Sequence, residues 1–178
     1  ADSPLGEYSG AGTIFGTTGG VTEAALRSAF YYMHGKELDE VDFRQVRGLE
    51  GVKEAEVDFD GRAIRLAVAH GMANVEQVIA KIRAADQAEG EPAYHLVEVM
   101  ACPGGCIGGG GQSWGVTDDI RRRRSEGLHG DDRARSIRRS HQNPSVRQLY
   151  EEFIGEPLGD RAHKLLHTTY TPRPDYRR

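Results

Sequence analysis

Apolar and polar positions alternate with period two over two adjacent stretches, 52–59 and 62–70, separated by Asp60-Gly61. Such alternation puts every second side chain on one face of a strand, and Asp-Gly closes a two-residue hairpin. The pattern predicts an antiparallel pair with Val57, Phe59, Ile64, Leu66 and Val68 on one buried face. On either side the spacing becomes helical. Val21, Ala24, Ala25, Ala29 and Tyr32 predict a helix over about 20–34, stopped by Gly35. Val75, Val78, Ile79 and Ile82 predict another, capped by Asn74 and running to about Ala85. Tyr94 to Val99 reads as a short buried strand that runs straight into a glycine-rich loop. Open α/β sheets place ligands at that kind of strand end.

Beyond Thr117 the chain turns polar and Arg-rich, and 119–139 predicts a solvent-facing helix. Val146, Leu149, Tyr150 and Phe153 mark an amphipathic helix ended by Gly155, residues 162–167 mark a second, and Pro172 and Pro174 close a tail. The order of elements predicts an α/β lobe with a small mixed sheet flanked by helices, followed by a helical C-terminal arm. At 178 residues, 38% hydrophobic and 28% charged, the chain has enough apolar residues for a real core. A net charge of −4 gives no overall attraction to nucleic acid. No apolar run approaches the roughly 18–20 residues that span a bilayer. The start, Ala1-Asp2-Ser3-Pro4, has neither an initiator Met nor a leader pattern and reads as internal. The expected compartment is the cytoplasm, with the periplasm as the alternative.

The chemistry concentrates in one segment. The two cysteines, Cys102 and Cys106, stand with seven glycines between Gly104 and Gly115. Thiolates are soft ligands suited to iron–sulfur clusters, copper(I) or zinc. Glycine lets the main chain approach a bulky sulfur-rich group and donate hydrogen bonds to it. A zinc ribbon needs a second pair of ligands, and a redox dithiol uses a spacing one residue shorter. A Cys102–Cys106 disulfide and a pair of inert thiols are the plainer alternatives. Two thiolates are half of what a cubane cluster takes, so the remaining ligands must lie elsewhere. Met100 offers a thioether beside the loop, or fills the core at a strand end.

Other clusters carry less. Gly10-Ala11-Gly12 and Gly16 lack the spacing and preceding strand of a dinucleotide fingerprint. Arg121 to Arg124, with Arg133, Arg135, Arg138 and Arg139, could grip phosphates, but acidic residues interrupt the run and no aromatics interleave with it. A solvated helix face, or a docking surface for an acidic electron-transfer partner, accounts for them better. His163 and His167 have metal-ligand spacing on a helix, but Lys164 stands where a general base would be. Hydrogen-bonded structural histidines are the simpler expectation. His95 is expected to be structural, and Glu23 to favour the positive end of its helix.

The run from Glu98 through Met100, Cys102 and Cys106 to Gln112 resembles the third cluster-binding motif of iron–iron hydrogenases. Ser9 to Arg27 resembles the glycine-rich stretch that precedes that motif in the family, and 47–51 and 67–71 also fit the family. The segments 140–144, 149–157 and 162–168 resemble the small-subunit region fused to many catalytic chains. The resemblance spans nearly the whole chain. It implies one lobe of a hydrogenase-like domain: residues 1–140 as the C-terminal lobe of the catalytic domain and 141–178 as the small-subunit-like arm. It implies that Cys102 and Cys106 ligate a 4Fe–4S cubane. Cys106 would also bridge to a two-iron subsite bearing carbon monoxide, cyanide and a dithiolate, the group known as the H-cluster. Met100 would lie near that bridge, and Phe15 and Gly16 near the diatomic ligands. The implied reaction is reversible hydrogen oxidation and proton reduction. The family's two earlier cysteine motifs, the lysine that holds a cyanide and the N-terminal ferredoxin-like domains have no counterpart here, and Ser113-Trp114 stands where many relatives have proline. The expected partners are therefore the other half of the catalytic domain and a ferredoxin-like or NAD-linked electron carrier, with the 178-residue chain inactive alone. The alternatives are a hydrogenase-like iron–sulfur assembly protein, a hydrogen sensor and, more distantly, an Arg-rich nucleic-acid-binding module.

Overall fold

The computed structural model describes residues 6–88 and 90–171, so the predicted tail at Pro172 and Pro174 lies outside the described residues. Two compact units divide the chain, one of residues 8–140 and one holding the described residues of 1–7 and 141–178. The larger unit opens with a short helix α1 (Gly10–Thr13) and a 3-10 turn, followed by α2 (Gly20–His34). Then come β1 (Val52–Phe59), β2 (Arg62–His70), α3 (Met72–Gln87), β3 (Leu96–Met100) and α4 (Asp118–Ala134).

The sheet has the order β1-β2-β3. β1 and β2 pair antiparallel around Asp60-Gly61, with Val57 opposite Ile64 and Phe59 opposite Arg62. Asp60 and Gly61 both take positive φ, as a tight hairpin requires. β3 pairs parallel to β2, with Leu66 opposite Leu96 and His70 opposite Met100. The α3 crossover between them makes the mixed sheet that the order of elements predicts. On one face Val57, Phe59, Ile64, Leu66 and Val68 pack with Leu26 and Phe30 of α2 and with Phe43 and Val46. On the other, Ala67 and Ala69 pack against Val75 and Val78 of α3. Each fully buried side chain of this size contributes about 1.5–3 kcal/mol of transfer free energy.

Four local expectations are corrected. The core stripe of α2 is Ala24, Leu26 and Phe30, while Tyr32 is exposed. The helix turns its Leu26–Phe30 side to the sheet and a second, polar side to α4. The helix α3 starts at Met72 with Gly71 as its cap. Asn74 sits within the first turn and donates its side-chain N–H to the His70 carbonyl at 2.8 Å, so it does not cap; Ile79 faces outward. β3 begins at Leu96, because His95 is occupied by paired bonds to Arg65, giving its N–H to the Arg65 carbonyl and accepting the Arg65 N–H at Nδ1. The helix α4 is not merely a solvated face, since its His129 and Asp132 are buried.

The smaller unit is helical. Asn143 caps α5 (Pro144–Leu149), its Oδ1 accepting the Ser145 and Val146 N–H groups, with Pro144 at the first position. A π-helical turn over Tyr150–Ile154 follows, ended by Gly155 at φ +87°, and α6 spans Asp160–Leu166. At the C-terminal end of α6 the Nδ1 atoms of His163 and of the capping His167 meet at 2.7 Å, a hydrogen bond between exposed rings. Among the described residues no helix is long and apolar enough to cross a membrane.

Candidate functional site

The glycine-rich loop leaves the sheet at Met100, whose carbonyl accepts the Gly71 N–H and so ties the end of β3 to the loop after β2. Cys102 and Cys106 are both free thiols, the first half-buried and the second exposed, which removes the disulfide alternative. Between them the chain reverses through Gly104 and Gly105 at φ +80° and +89°. Only glycine takes two such residues in succession without strain. The Gly105 N–H donates to the Cys102 carbonyl at 3.0 Å, and a 3-10 turn over Cys106–Gly108 closes the loop.

Two supports hold this loop. On one side lies the turn after α1, where the Thr18 N–H donates to the Gly104 carbonyl at 3.0 Å. A Cβ on Gly105 would lie 2.9 Å from Thr18 N, 3.1 Å from the Gly16 carbonyl oxygen and 3.2 Å from Met100 Sδ. Main chain therefore rests on main chain there. On the other side is α4, whose Arg124 Nη1 donates to the Ile107 carbonyl at 2.7 Å. The stem of Arg121 runs beneath Gly104 and Gly108, and Ile107 is buried.

The result is a shallow recess of about 190 Å³, in which Met100, Cys102 and Cys106 stand among Gly105, Gly109 and Gly110. A Cβ on Gly109 would come within 3.1 Å of Cys102 Sγ, so the backbone closes on the sulfur. Two soft donors, a thioether and an almost bare main chain have the chemistry to face one side of a sulfur-rich group, and two thiolates are half the number that a cubane takes. Of the residues expected at the site, Met100, Cys102 and Cys106 line one recess and Gly16 touches its rim through Gly105. Phe15 is half-exposed beside Gly16 but is not among the lining residues.

Two charged groups near the recess carried no functional expectation. Glu98 on β3 is buried, and its carboxylate accepts the Gly19 N–H at 2.6 Å and the Thr22 N–H at 2.7 Å. Lys53 on β1 is also buried and donates to the Gly48 carbonyl at 2.9 Å. Burial pushes its ammonium down to about 8, and the charges of Glu98 and Glu50 only partly offset that. Both were visible in the pattern, since Lys53 shares the parity of Val57 and Phe59, and Glu98 that of Leu96.

Glu23 is not a simple helix-end charge. It is fully buried and accepts from Arg27 and Arg47. Arg27, also fully buried, spans to Asp132 of α4 at 2.8 and 3.0 Å, and Arg138 reaches Asp132 and Asp42 at 2.6 Å. Glu23, Asp42 and Asp132 bring carboxylate oxygens within 4.8 Å of one another, as a metal site would. The Arg27 guanidinium pairs with all three of them, which makes the group an ion network. Burial raises the Asp132 carboxyl, but hydrogen bonds from Arg27 and Arg138 outweigh it and hold the group at about 2. Much of the arginine run is thus engaged internally, with Arg121 on Asp118, Arg123 on Asp119 and Arg135 on Asp131. A second, larger cleft of about 580 Å³ lies between residues 47–50 and α4, with Arg122, Arg133, Glu50 and Glu126 giving it mixed charge.

Comparison with known proteins places the chain in a family. The chain is 45% identical over 173 residues to the NADP-reducing hydrogenase subunit HndD of Solidesulfovibrio fructosivorans, covering 97% of this chain and 28% of that protein. It is 33% identical over 159 residues to cytosolic iron-sulfur assembly component 3 of Mus musculus, covering 87% of this chain and 31% of that one. It superposes on a solved variant of the FeFe-hydrogenase HydA1 of Chlamydomonas reinhardtii with a TM-score of 0.66 and 40% identity, covering 95% of this chain and 48% of the other. The chain therefore spans under a third of these curated relatives and about half of the solved one. Residues 118–173 match the iron hydrogenase small subunit family. With residues 1–110 matching its model, the chain belongs to the family of the iron only hydrogenase large subunit, C-terminal domain.

Proposed function

We propose that this chain supplies Cys102 and Cys106 as two of the four thiolates of a 4Fe–4S cubane in an iron–iron hydrogenase. Cys106 would also hold the two-iron subsite, and Met100, Phe15 and Gly16 would shape the surroundings of that subsite. Residues 1–140 form the C-terminal lobe of the catalytic domain, and 141–178 form the small-subunit-like arm. The remaining ligands come from the other half of the catalytic domain, and electrons pass to a ferredoxin-like or NAD-linked carrier. The observation that carries this reading is the recess: two free thiols with glycine main chain closing on the sulfur, at the carboxyl end of a sheet strand. When bound, the cofactor supplies the cleavage of hydrogen and the electron relay. The chain's own work is to hold two sulfurs against glycine backbone and to fix the loop between α4, over the buried Ile107, and the Gly16–Gly19 turn.

The test is infrared spectroscopy of the whole protein that contains this chain, together with a hydrogen assay. Bands of metal-bound carbon monoxide and cyanide, with turnover that Cys106→Ser abolishes, are the expected result. The 178-residue chain alone is expected to show no turnover after reconstitution with iron and sulfide. A second reading, an iron–sulfur assembly protein, is favoured by the similarity to cytosolic iron-sulfur assembly component 3. Cubane signals without diatomic bands and without turnover would select it.

A further inference from the structure

Glu98 stands on β3 two positions before Met100, with its side chain 7% exposed to solvent. An isolated carboxylate is costly to bury, so its partners define its role. They are the first free amides of α2, from Gly19 and Thr22. Gly19, at the cap position of α2, has no side chain to satisfy them. Glu98 therefore caps α2 from another element, through short, charge-assisted bonds at the positive end of a helix dipole. Lys53 approaches from β1, giving the pair a counter-charge and lying 3.5 Å from Thr18 Oγ1.

The capped turn is also the turn that supports the cysteine loop. Thr18, one residue from Gly19, donates its N–H to Gly104, and Gly16 and Thr18 meet Gly105 main chain to main chain. The connections form a closed circuit. β3 leads through Met100 to the Cys102–Cys106 loop, the loop rests on residues 16–18, and that turn is fastened back to β3 by Glu98. The turn is also joined to α4, where Thr17 Oγ1 and Ser125 Oγ lie 3.1 Å apart, but the bond between turn and loop, Thr18 N–H to the Gly104 carbonyl, is a main-chain one whose spacing follows the Glu98 clamp.

We propose that Glu98 is a positioning residue for the cofactor recess, setting the spacing between the Phe15–Thr18 turn and the Cys102 and Cys106 thiolates. This rests on the reading given under Proposed function. The chain is tested first, by amide hydrogen exchange of Glu98→Ala and Glu98→Gln against wild type. Loss of a charge-assisted bond is expected to speed exchange at Gly19 and Thr22 roughly ten- to hundredfold in the Ala variant. Thr18 is expected to exchange faster as well. Glu98→Gln keeps one acceptor oxygen and should fall between the two.

The same variants are then read in the whole, cofactor-loaded protein by the positions of the carbon monoxide and cyanide bands. A positioning role shifts the bands in the folded protein, more for Ala than for Gln. A purely structural role lowers the amount of loaded protein and leaves the bands in place, and that result overturns the proposal. Should Glu98→Ala not fold, Glu98→Gln decides by the same two measurements. If the wild-type whole protein shows no such bands, the hydrogenase reading fails, and the exchange result alone decides whether Glu98 fastens the turn. Unchanged exchange at Thr18 would overturn it.

Discussion

Asp132→Asn tests the ion network that joins α2, the 42–47 segment and α4. Asp132 is fully buried and receives two hydrogen bonds from Arg27 and one from Arg138. In the wild type, the carboxylates of Glu23, Asp42 and Asp132 balance the guanidiniums of Arg27, Arg47 and Arg138. An amide in place of Asp132 keeps the shape and leaves one positive charge uncompensated. Two estimates bracket the cost. Breaking a buried pair by removing one partner costs about 3–5 kcal/mol. Moving a carboxyl from 3.8 to about 2 corresponds to roughly 2.5 kcal/mol of preference for the charged form. We expect a loss of about 3 kcal/mol in the free energy of unfolding by urea at neutral pH.

The pH dependence has a defined sign. The folded-state value is depressed, so the stabilisation is present above the unfolded value of 3.8 and disappears as pH falls towards 2. The gap between wild type and Asp132→Asn should close over that window. Adding Arg138→Met to Asp132→Asn restores charge balance, and the pair should couple by about 1–3 kcal/mol. A single-variant loss below about 1 kcal/mol, or a gap that does not narrow in acid, would refute the argument that the network holds these elements together.

Lys53→Met gives a slope of the same sign in an alkaline window, because there it is a buried charge that is relieved rather than a paired one that is lost. Its ammonium is pushed from 10.5 to about 8, so the unfolded chain binds more protons between those values and wild-type stability rises with pH relative to the variant. The rise should total about 3 kcal/mol and is read from denaturation midpoints between neutral pH and pH 10; a flat difference would show that Lys53 is solvated. Gly105→Ala must accept a φ of +89° and a methyl 2.9 Å from Thr18 N. The left-handed conformation alone costs about 1–2 kcal/mol, and we expect a lower melting temperature and reduced iron content in the whole protein; wild-type iron loading would contradict the backbone contact. Phe59→Ala removes a core ring packed edge-on to Phe30 at 5.2 Å and should cost about 3–5 kcal/mol in chemical denaturation.

The hairpin was legible because period-two alternation and Asp60-Gly61 specify strands and turn together. The thiolate loop was legible because Cys102, Cys106 and their glycines are an unusual composition. The polar interior was not. Glu23 and Arg27, four apart with opposite charge, look like an exposed helix pair, and nothing local says that Asp132, over a hundred residues later, will bury them. Asn74 looks like a cap because the code for caps is local, yet Gly71 holds that position through a bond to Met100 on another strand. Lys53 and Glu98 were readable in part, since strand parity puts both on the buried side. Their partners, the amides of α2 and the Gly48 carbonyl, were not.

The balanced ion network also bears on how the sequence can drift. With three acids and three arginines sharing one cluster, built round the fully buried Glu23, Arg27 and Asp132, a neutral path through sequence space rarely passes through a change at one of the six alone. Substitutions there should arrive in couples of opposite sign, and a relative lacking the aspartate on α4 should also lack a guanidinium. Grafting this lobe onto another scaffold, or shuffling α4 between homologues, will succeed when all six travel together.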